Sequence, residues 1–389
     1  MSPQPIPAQP NRDQTTASAF YSLLDAVDSE SIAEPFDIGT YNETHGFLTH
    51  IKIGIFEGIH PSDSLRSLAE KLQTHDQLED MAASTFSRYT NDRDYRAVVH
   101  LLFALLHSPQ LYHQRGVQRK RLEWLQRSVV AVDATNLDLT RTVVVPHDLR
   151  TVNEPHEIAP GDGSLKLHLA ARVDGDHKHP LGTGVTAGET HETTQFDHLH
   201  GDVEVFPDLD SPIWVYDRGY TDYERFCAMK RRDEDFVVPL RSNARVEVLE
   251  SFEDFEITDE TGTRSVTDER IVLGETGEEF RRVVVEDTDG EVIEYLTTLS
   301  PEEYEPVDVV SIYTLRTLIE ILFRELKQYM NIEEFHSTSL NGVLFELFCT
   351  LIGFVLLEWF RHCHPMRGGV PNAIRKVRNQ WDQSLPSYG

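Results

Sequence analysis

From about residue 15 to residue 127, apolar residues recur every three or four positions, as in "DSLRSLAEKLQ", "TFSRYTN" and "YRAVVHLLFALL", with Ser or Asp at the starts. That spacing predicts a helical region. From about 128 to 240 the pattern shifts to short β-branched runs separated by Gly, Asp and Pro turns, with short helices near 192–200 and 222–230. Between about 241 and 303 lie further strand-like runs, "ARVEVLESF", "RSVTDERIVLG", "EEFRRVVVED" and "EVIEYLTTL", joined by acid-rich turns. A helix starting near Val307 follows. The apolar stretch 343–360 contains Glu346 and Glu358, which leaves too short an uncharged run to span a bilayer and predicts a buried helix. Residues 1–14 are Pro/Gln-rich and expected to be disordered, and no basic, apolar leader pattern follows Met1. The tail 366–389 is short and mildly basic.

The segment 313–327 carries the most chemistry. Read as one helix at roughly 100° per residue, it places Tyr313, Arg316, Glu320 and Lys327 within an arc of about 60°, with Arg324 at the edge. Leu315, Leu318, Ile319, Leu322 and Leu326 take the opposite side. One carboxylate among cations and a phenol suits phosphate; the plainer alternative is an amphipathic helix with a solvated polar face. Two further acids end apolar runs: "SVVAVD" delivers Asp133, and "PIWVYD" delivers Asp217 before Arg218, Gly219 and Tyr220. Each run predicts a buried strand with its Asp at the C-terminal end, where ligands collect in open α/β sheets. Each Asp alone reads more readily as a cap or turn residue, and Gly219 reads most simply as a turn glycine. Asp133, Asp217 and Glu320 together would form an oxygen cage suited to Mg²⁺, with Mn²⁺ able to substitute, and hence to two-metal phosphodiester transfer.

The blocks "VVAVDAT", "IWVYDRGYTDYERF" and "YTLRTLIEILFRELK" resemble the catalytic blocks of DDE-type insertion-sequence transposases, specifically insertion-sequence family four. Tyr313, Arg316, Glu320 and Lys327 match that family's signature Tyr-x2-Arg-x3-Glu-x6-Lys, and Asp217, Gly219 and Tyr220 match its second-acid block. The likeness runs from about Thr85 to about His364. The resemblance implies that Asp133, Asp217 and Glu320 are catalytic metal ligands, and that Tyr313, Arg316 and Lys327, with Arg324 beside them, contact DNA. It implies an α/β fold: a ribonuclease-H-like mixed-sheet catalytic core split over 128–240 and 304–365, with a β-rich insertion at 241–303. A helical domain at 15–127 would bind DNA ends. Asp133 is expected on the first strand of the core, Asp217 on the fourth and Glu320 on a covering helix. The implied partners are inverted-repeat DNA at the transposon ends, target DNA and a second copy in a homodimer, in the cytoplasm on the nucleoid and with no membrane. A related nuclease without strand transfer, and an inactive DNA-binding relic, remain the alternatives.

Composition qualifies that picture. Lys and Arg total 36 against 65 Asp and Glu, a formal net charge of −29 and the wrong sign for DNA binding. Only 8 of the basic residues are Lys, and so acidic, Lys-poor a chain suggests an extreme halophile. In molar salt the Debye length falls to about 3 Å, so long-range repulsion from DNA nearly vanishes. Basic clusters survive at 113–127, 229–235 and 241–245, readable as solvated faces or DNA contacts. Trp214 reads as core, and His191 as a weaker candidate near the acids. Three Cys, at 227, 349 and 363, give no disulfide framework. The His pairs 177/179, 198/200 and 362/364 lack zinc-site spacing with paired Cys and read as exposed loop and helix-end residues.

Overall fold

The computed structural model describes residues 14–384 except 40–43, 112–113, 115–119, 140–142, 149–150, 159–163, 260–261, 275, 287–289, 365 and 367. Residues 1–13 of the segment expected to be disordered and most of the basic stretch 113–119 therefore lie outside the described residues. The α-helices are α1 (Thr16–Tyr21), α2 (Ser29–Ala33), α3 (Phe47–Ile59), α4 (Leu65–Leu72), α5 (Ala83–Asp92) and α6 (Arg96–Leu106). They continue with α7 (Phe196–Glu204), α8 (Tyr223–Arg231), α9 (Pro306–Thr314), α10 (Thr317–Tyr329), α11 (Leu340–Cys363) and α12 (Gly369–Asn379). The strands are β1 (Val129–Asp138), β2 (Val143–Asp148), β3 (Thr151–Ile158), β4 (Ser164–Arg172), β5 (His179–Ala187) and β6 (Ile213–Tyr216). After them come β7 (Asp235–Pro239), β8 (Val246–Asp259), β9 (Gly262–Leu273), β10 (Glu278–Glu286) and β11 (Val292–Thr297). Two units divide the chain: Met1–Val117 with Leu137–Leu165 and Phe323–Gly389, and Gln118–Asn136 with Lys166–Leu322.

The first unit is built around α11. Its N-terminus is capped by Ser339, whose side chain accepts from the Gly342 N–H. The helix is long and apolar enough to cross a membrane by length and composition, yet 83% of its apolar window is buried inside the protein. Its interior acids are answered locally: Glu346 accepts the N–H groups of His336 (2.7 Å) and Ser337 (2.9 Å), and Glu358 pairs with Arg361 at 2.5 Å. α3 packs on α11 so closely that a Cβ on Gly54 would lie 2.8 Å from Cys349 Sγ. Burial of most of its surface explains why α3 is largely apolar, with Ile51, Ile53, Ile55, Phe56 and Ile59 all inaccessible and Lys52 and Glu57 left half-buried.

The second unit is a nine-stranded mixed sheet in the order β5-β4-β1-β6-β7-β11-β10-β9-β8. β1, β6 and β7 pair in parallel, whereas β7, β11, β10, β9 and β8 pair antiparallel in turn. The β-rich stretch between Asp217 and Glu320 thus joins the sheet through β11 beside β7. Leaving aside the separate β2–β3 hairpin, β6 is the fourth strand of this sheet in chain order. Val129, Val130, Ala131, Ile213, Val215 and Tyr216 are fully buried, and Phe226 of α8 stacks on Phe236 of β7 at 4.6 Å. Asp222 caps α8 by accepting from the Arg225 N–H.

Two expectations require correction. The segment 313–327 is not one helix: α9 ends at Thr314, Leu315 and Arg316 form a turn, and α10 begins at Thr317. Across the turn the ladder tightens to i+3 bonds, with the N–H groups of Leu315, Arg316, Leu318 and Ile319 each donating to the carbonyl three residues earlier. Ser311, Thr314 and Thr317 hydroxyls donate back to the carbonyls of Val307, Val310 and Thr314, a pattern that bends helices. Second, β1 runs on to Asp138, so Asp133 sits mid-strand rather than at the strand's end.

Candidate active site

Strand pairing sets two of the three acids side by side. Val132 of β1 is paired with Tyr216 of β6, so Asp133 within β1 and Asp217 just past the end of β6 are the residues that follow this pair. Asp133 is largely buried, and the Ala134 N–H donates to its Oδ1 at 2.8 Å. Asp217 and Glu320 are more open, at 41% and 49% side-chain exposure, which leaves oxygens free to meet a ligand.

Arg316 joins all three acids. One guanidinium nitrogen lies 3.0 Å from Asp133 Oδ2 and 3.9 Å from Asp217 Oδ1, and the other donates to Glu320 Oε1. Burial pushes the Asp133 carboxyl up to about 7, with Asp217 and Glu320 adding to the rise, while the Arg316 charge and the Ala134 N–H oppose it. Tyr313 stands beside this cluster, its ring 5.7 Å from the Arg316 guanidinium and 4.9 Å from the Tyr295 ring. Burial raises its hydroxyl to about 12, so it is a hydrogen-bond donor at any working pH. α10 also carries Arg324, which is exposed, and Lys327, which pairs with Glu333 at 2.7 Å.

The turn after Asp217 brings in residues that the sequence motifs do not single out. A Cβ on Gly219 would fall 1.7 Å from Glu192 Oε2, so this glycine is required by a close approach and not by an unusual turn. Glu192 is held 3.4 Å from Lys166 Nζ. Tyr220 is buried, and its hydroxyl is 2.9 Å from His168 Nδ1, whose other ring nitrogen is 2.9 Å from Thr186 Oγ1. β4, β5 and the turn after β6 are tied together by that chain of polar groups. The signals were a His in β4 and the Glu beside His191, but nothing local connects them with Gly219. His191 itself is exposed and caps the short 3₁₀ turn at Glu192–Gln195.

Trp214 is core, as expected, at 3% exposure. The expected exposure of these His needs correction: His179, His200 and His364 are buried, and His200 stacks 3.7 Å from Trp214. Several residues of the basic clusters are paired within the molecule. Arg127 pairs with Asp235, Arg231 with Glu278 (2.6 Å), and Arg232 with Glu234 (2.7 Å); Arg241 donates to the Thr221 carbonyl. The donor set of Asp133, Asp217 and Glu320 fits a hard divalent cation, because three carboxylates converge where a cationic group already bridges them.

Fold and site together define a mixed α/β protein whose sheet and neighbouring helix present a triad of acids. A profile of the transposase DDE domain matches residues 124–356, more than half of the chain, and the chain belongs to that family. Among its relatives, a protein of Sinorhizobium fredii named as a transposase is 28% identical over 150 residues, 37% of this chain and 41% of that one. A transposase named for insertion sequence element IS5377 of Geobacillus stearothermophilus is 26% identical, covering 50% and 49% of the two chains. One named for element IS4SA of Synechocystis is 20% identical over 76% of each. The first two matches span less than half of the relatives' own length. A cryo-EM structure of the piggyBac transposase synaptic complex with hairpin DNA covers 94% of this chain and 80% of that one, with a TM-score of 0.49 and 11% identity.

Proposed function

We propose that this protein is a transposase that cuts DNA at the ends of its element and joins the freed 3′ end to target DNA, using Asp133, Asp217 and Glu320 on a ribonuclease-H-like core. The observation that carries this reading is the convergence of the three acids, from two strands and a helix, on one guanidinium. Membership of the transposase DDE domain family supports it. The reading extends to insertion-sequence family four, through the Tyr313, Arg316, Glu320 and Lys327 spacing.

The three acids would hold Mg²⁺. The bound cation would supply Lewis acidity for activating the attacking hydroxyl and for stabilising the leaving oxygen. Arg316, a planar fork already surrounded by carboxylates, is suited to exchange those partners for two phosphate oxygens as DNA enters. Tyr313 would donate its hydroxyl proton in a hydrogen bond to a neighbouring phosphate. Lys327 would exchange Glu333 for the DNA backbone as a point charge. A dimer, with one copy at each end, is the assembly this chemistry calls for. The charge of −29 supports a setting of concentrated salt for that encounter, where close contacts would outweigh long-range attraction.

The test is a strand-transfer assay in high KCl with Mg²⁺, using DNA that carries the inverted repeats flanking the gene. Asp133→Ala, Asp217→Ala and Glu320→Ala should each abolish cleavage and joining, by at least about a hundredfold, while end binding stays measurable. Cleavage by all three variants at the parent rate would remove the triad from the chemistry. Metal-dependent cutting without joining would instead favour a nuclease.

A further inference from the structure

Behind the strand that leads to Asp217, a histidine is left half-satisfied in the interior. His200, on α7, is 5% exposed and stacks on Trp214 (3.7 Å between ring centres) and Phe196 (5.0 Å). Its Nε2 is bonded to the Tyr216 hydroxyl, which in turn donates towards Met229 Sδ at 3.8 Å. If the phenol proton points to sulfur, Nε2 must be the N–H donor, and Nδ1 is left with a bare lone pair. That Nδ1 is buried and without a hydrogen-bond partner. It faces Glu234 Oε2 at 3.9 Å, too far for a hydrogen bond. Glu204, one helical turn beyond His200, completes the cluster, with potential ligand atoms of all three residues within 4.8 Å of one another.

A buried ring nitrogen without a partner, with two carboxylates within reach, is a ligand set that a cation among them would complete. The positive charge does not come from a hydrogen-bond donor at Nδ1, which has none. Arg232 supplies part of it from the outside, forking both oxygens of Glu234 at 2.7 and 3.0 Å while remaining more than half exposed.

We propose that His200 Nδ1, Glu204 and Glu234 form a structural site for Zn²⁺ or a similar transition-metal ion, separate from the acids around Arg316. One imidazole nitrogen with two carboxylates suits Zn²⁺, with water in the remaining position, whereas Mg²⁺ favours oxygen alone. The Tyr216 hydroxyl plays the orienting part that metal-bound histidines obtain from their other ring nitrogen. The site clamps α7 to the residue just before β7, on either side of the β6 strand that precedes Asp217. Binding releases Arg232 from Glu234, so Arg232 and the ion compete for the same carboxylate.

The experiment uses the full chain, stripped with chelator, in an Asp217→Asn background that removes one acid of the other cluster. Zn²⁺ is titrated by calorimetry, Co²⁺ by its visible absorption, and melting is followed with and without Zn²⁺ in excess Mg²⁺. One equivalent of Zn²⁺ should bind and raise the melting temperature. Because His200→Ala also empties the slot against Trp214, the decisive variants are surface ones. Glu204→Gln should lose about tenfold or more in Zn²⁺ affinity, together with the melting shift, and Arg232→Ala should bind more tightly than the parent. Equal Zn²⁺ binding by the parent and Glu204→Gln, or no Zn²⁺ binding at all, would overturn the proposal. Neither result touches the strand-transfer reading, which depends on different residues.

Discussion

Asp133 is placed where a carboxylate is expensive to keep charged. Its carboxyl titrates near 7 in the folded protein against an ordinary value of 3.8, with burial as the main cause. Between those values the native state binds more protons than the unfolded chain, so stability falls as pH rises through that window and is lowest above 7. Asp133→Asn should therefore stabilise the metal-free protein at pH 8, by as much as about 4 kcal/mol, and by almost nothing near pH 4. Urea unfolding at the two pH values measures the difference, and an equal effect at both would mean that the carboxyl is not held high. A divalent cation competes with the same proton, so its affinity should level off only above neutral pH. Arg316 relieves part of this cost by standing among the acids, as a half-buried cation 3.0 Å from Asp133.

At the scale of elements, the site depends on two irregular pieces, the Leu315–Arg316 turn and the turn after β6. Gly219→Ala would drive a methyl into Glu192 and should destabilise the protein by about 1–3 kcal/mol. In a Glu192→Ala background the same change should cost much less. Thermal melts of the two single variants and the double variant form the cycle, and simple additivity would show that the two residues do not collide. This interplay marks the limit of what the chain reveals locally. Asp133, Asp217, Glu320 and Arg316 could be picked out because β-branched runs and a spaced polar face mark them. The break at Leu315 and Arg316 could not, since Leu is a good helix former and the cause lies in hydroxyls folding back onto the preceding carbonyls. Glu192 was equally hidden, being 27 residues from the glycine it meets.

For the whole molecule, charge is the dominant property. A net −29 should make stability rise with salt, so that the melting temperature increases steadily from dilute buffer to molar KCl; a melt unaffected or lowered by KCl would refute adaptation to brine. The nine-stranded order itself was not readable from sequence, because pairing β11 with β7 joins segments that no local pattern connects. The pairing of Val132 with Tyr216 has a different consequence, for descent. Side chains alternate along a strand, so slipping β1 by one residue against β6 would turn Asp133 to the opposite face, whereas exchanging one buried aliphatic residue for another leaves the register untouched. The spacing of the two aspartates is therefore written in backbone hydrogen bonds that any apolar β-branched sequence can make. A lineage could replace most of its residues without ever having to reinvent the distance between its acids.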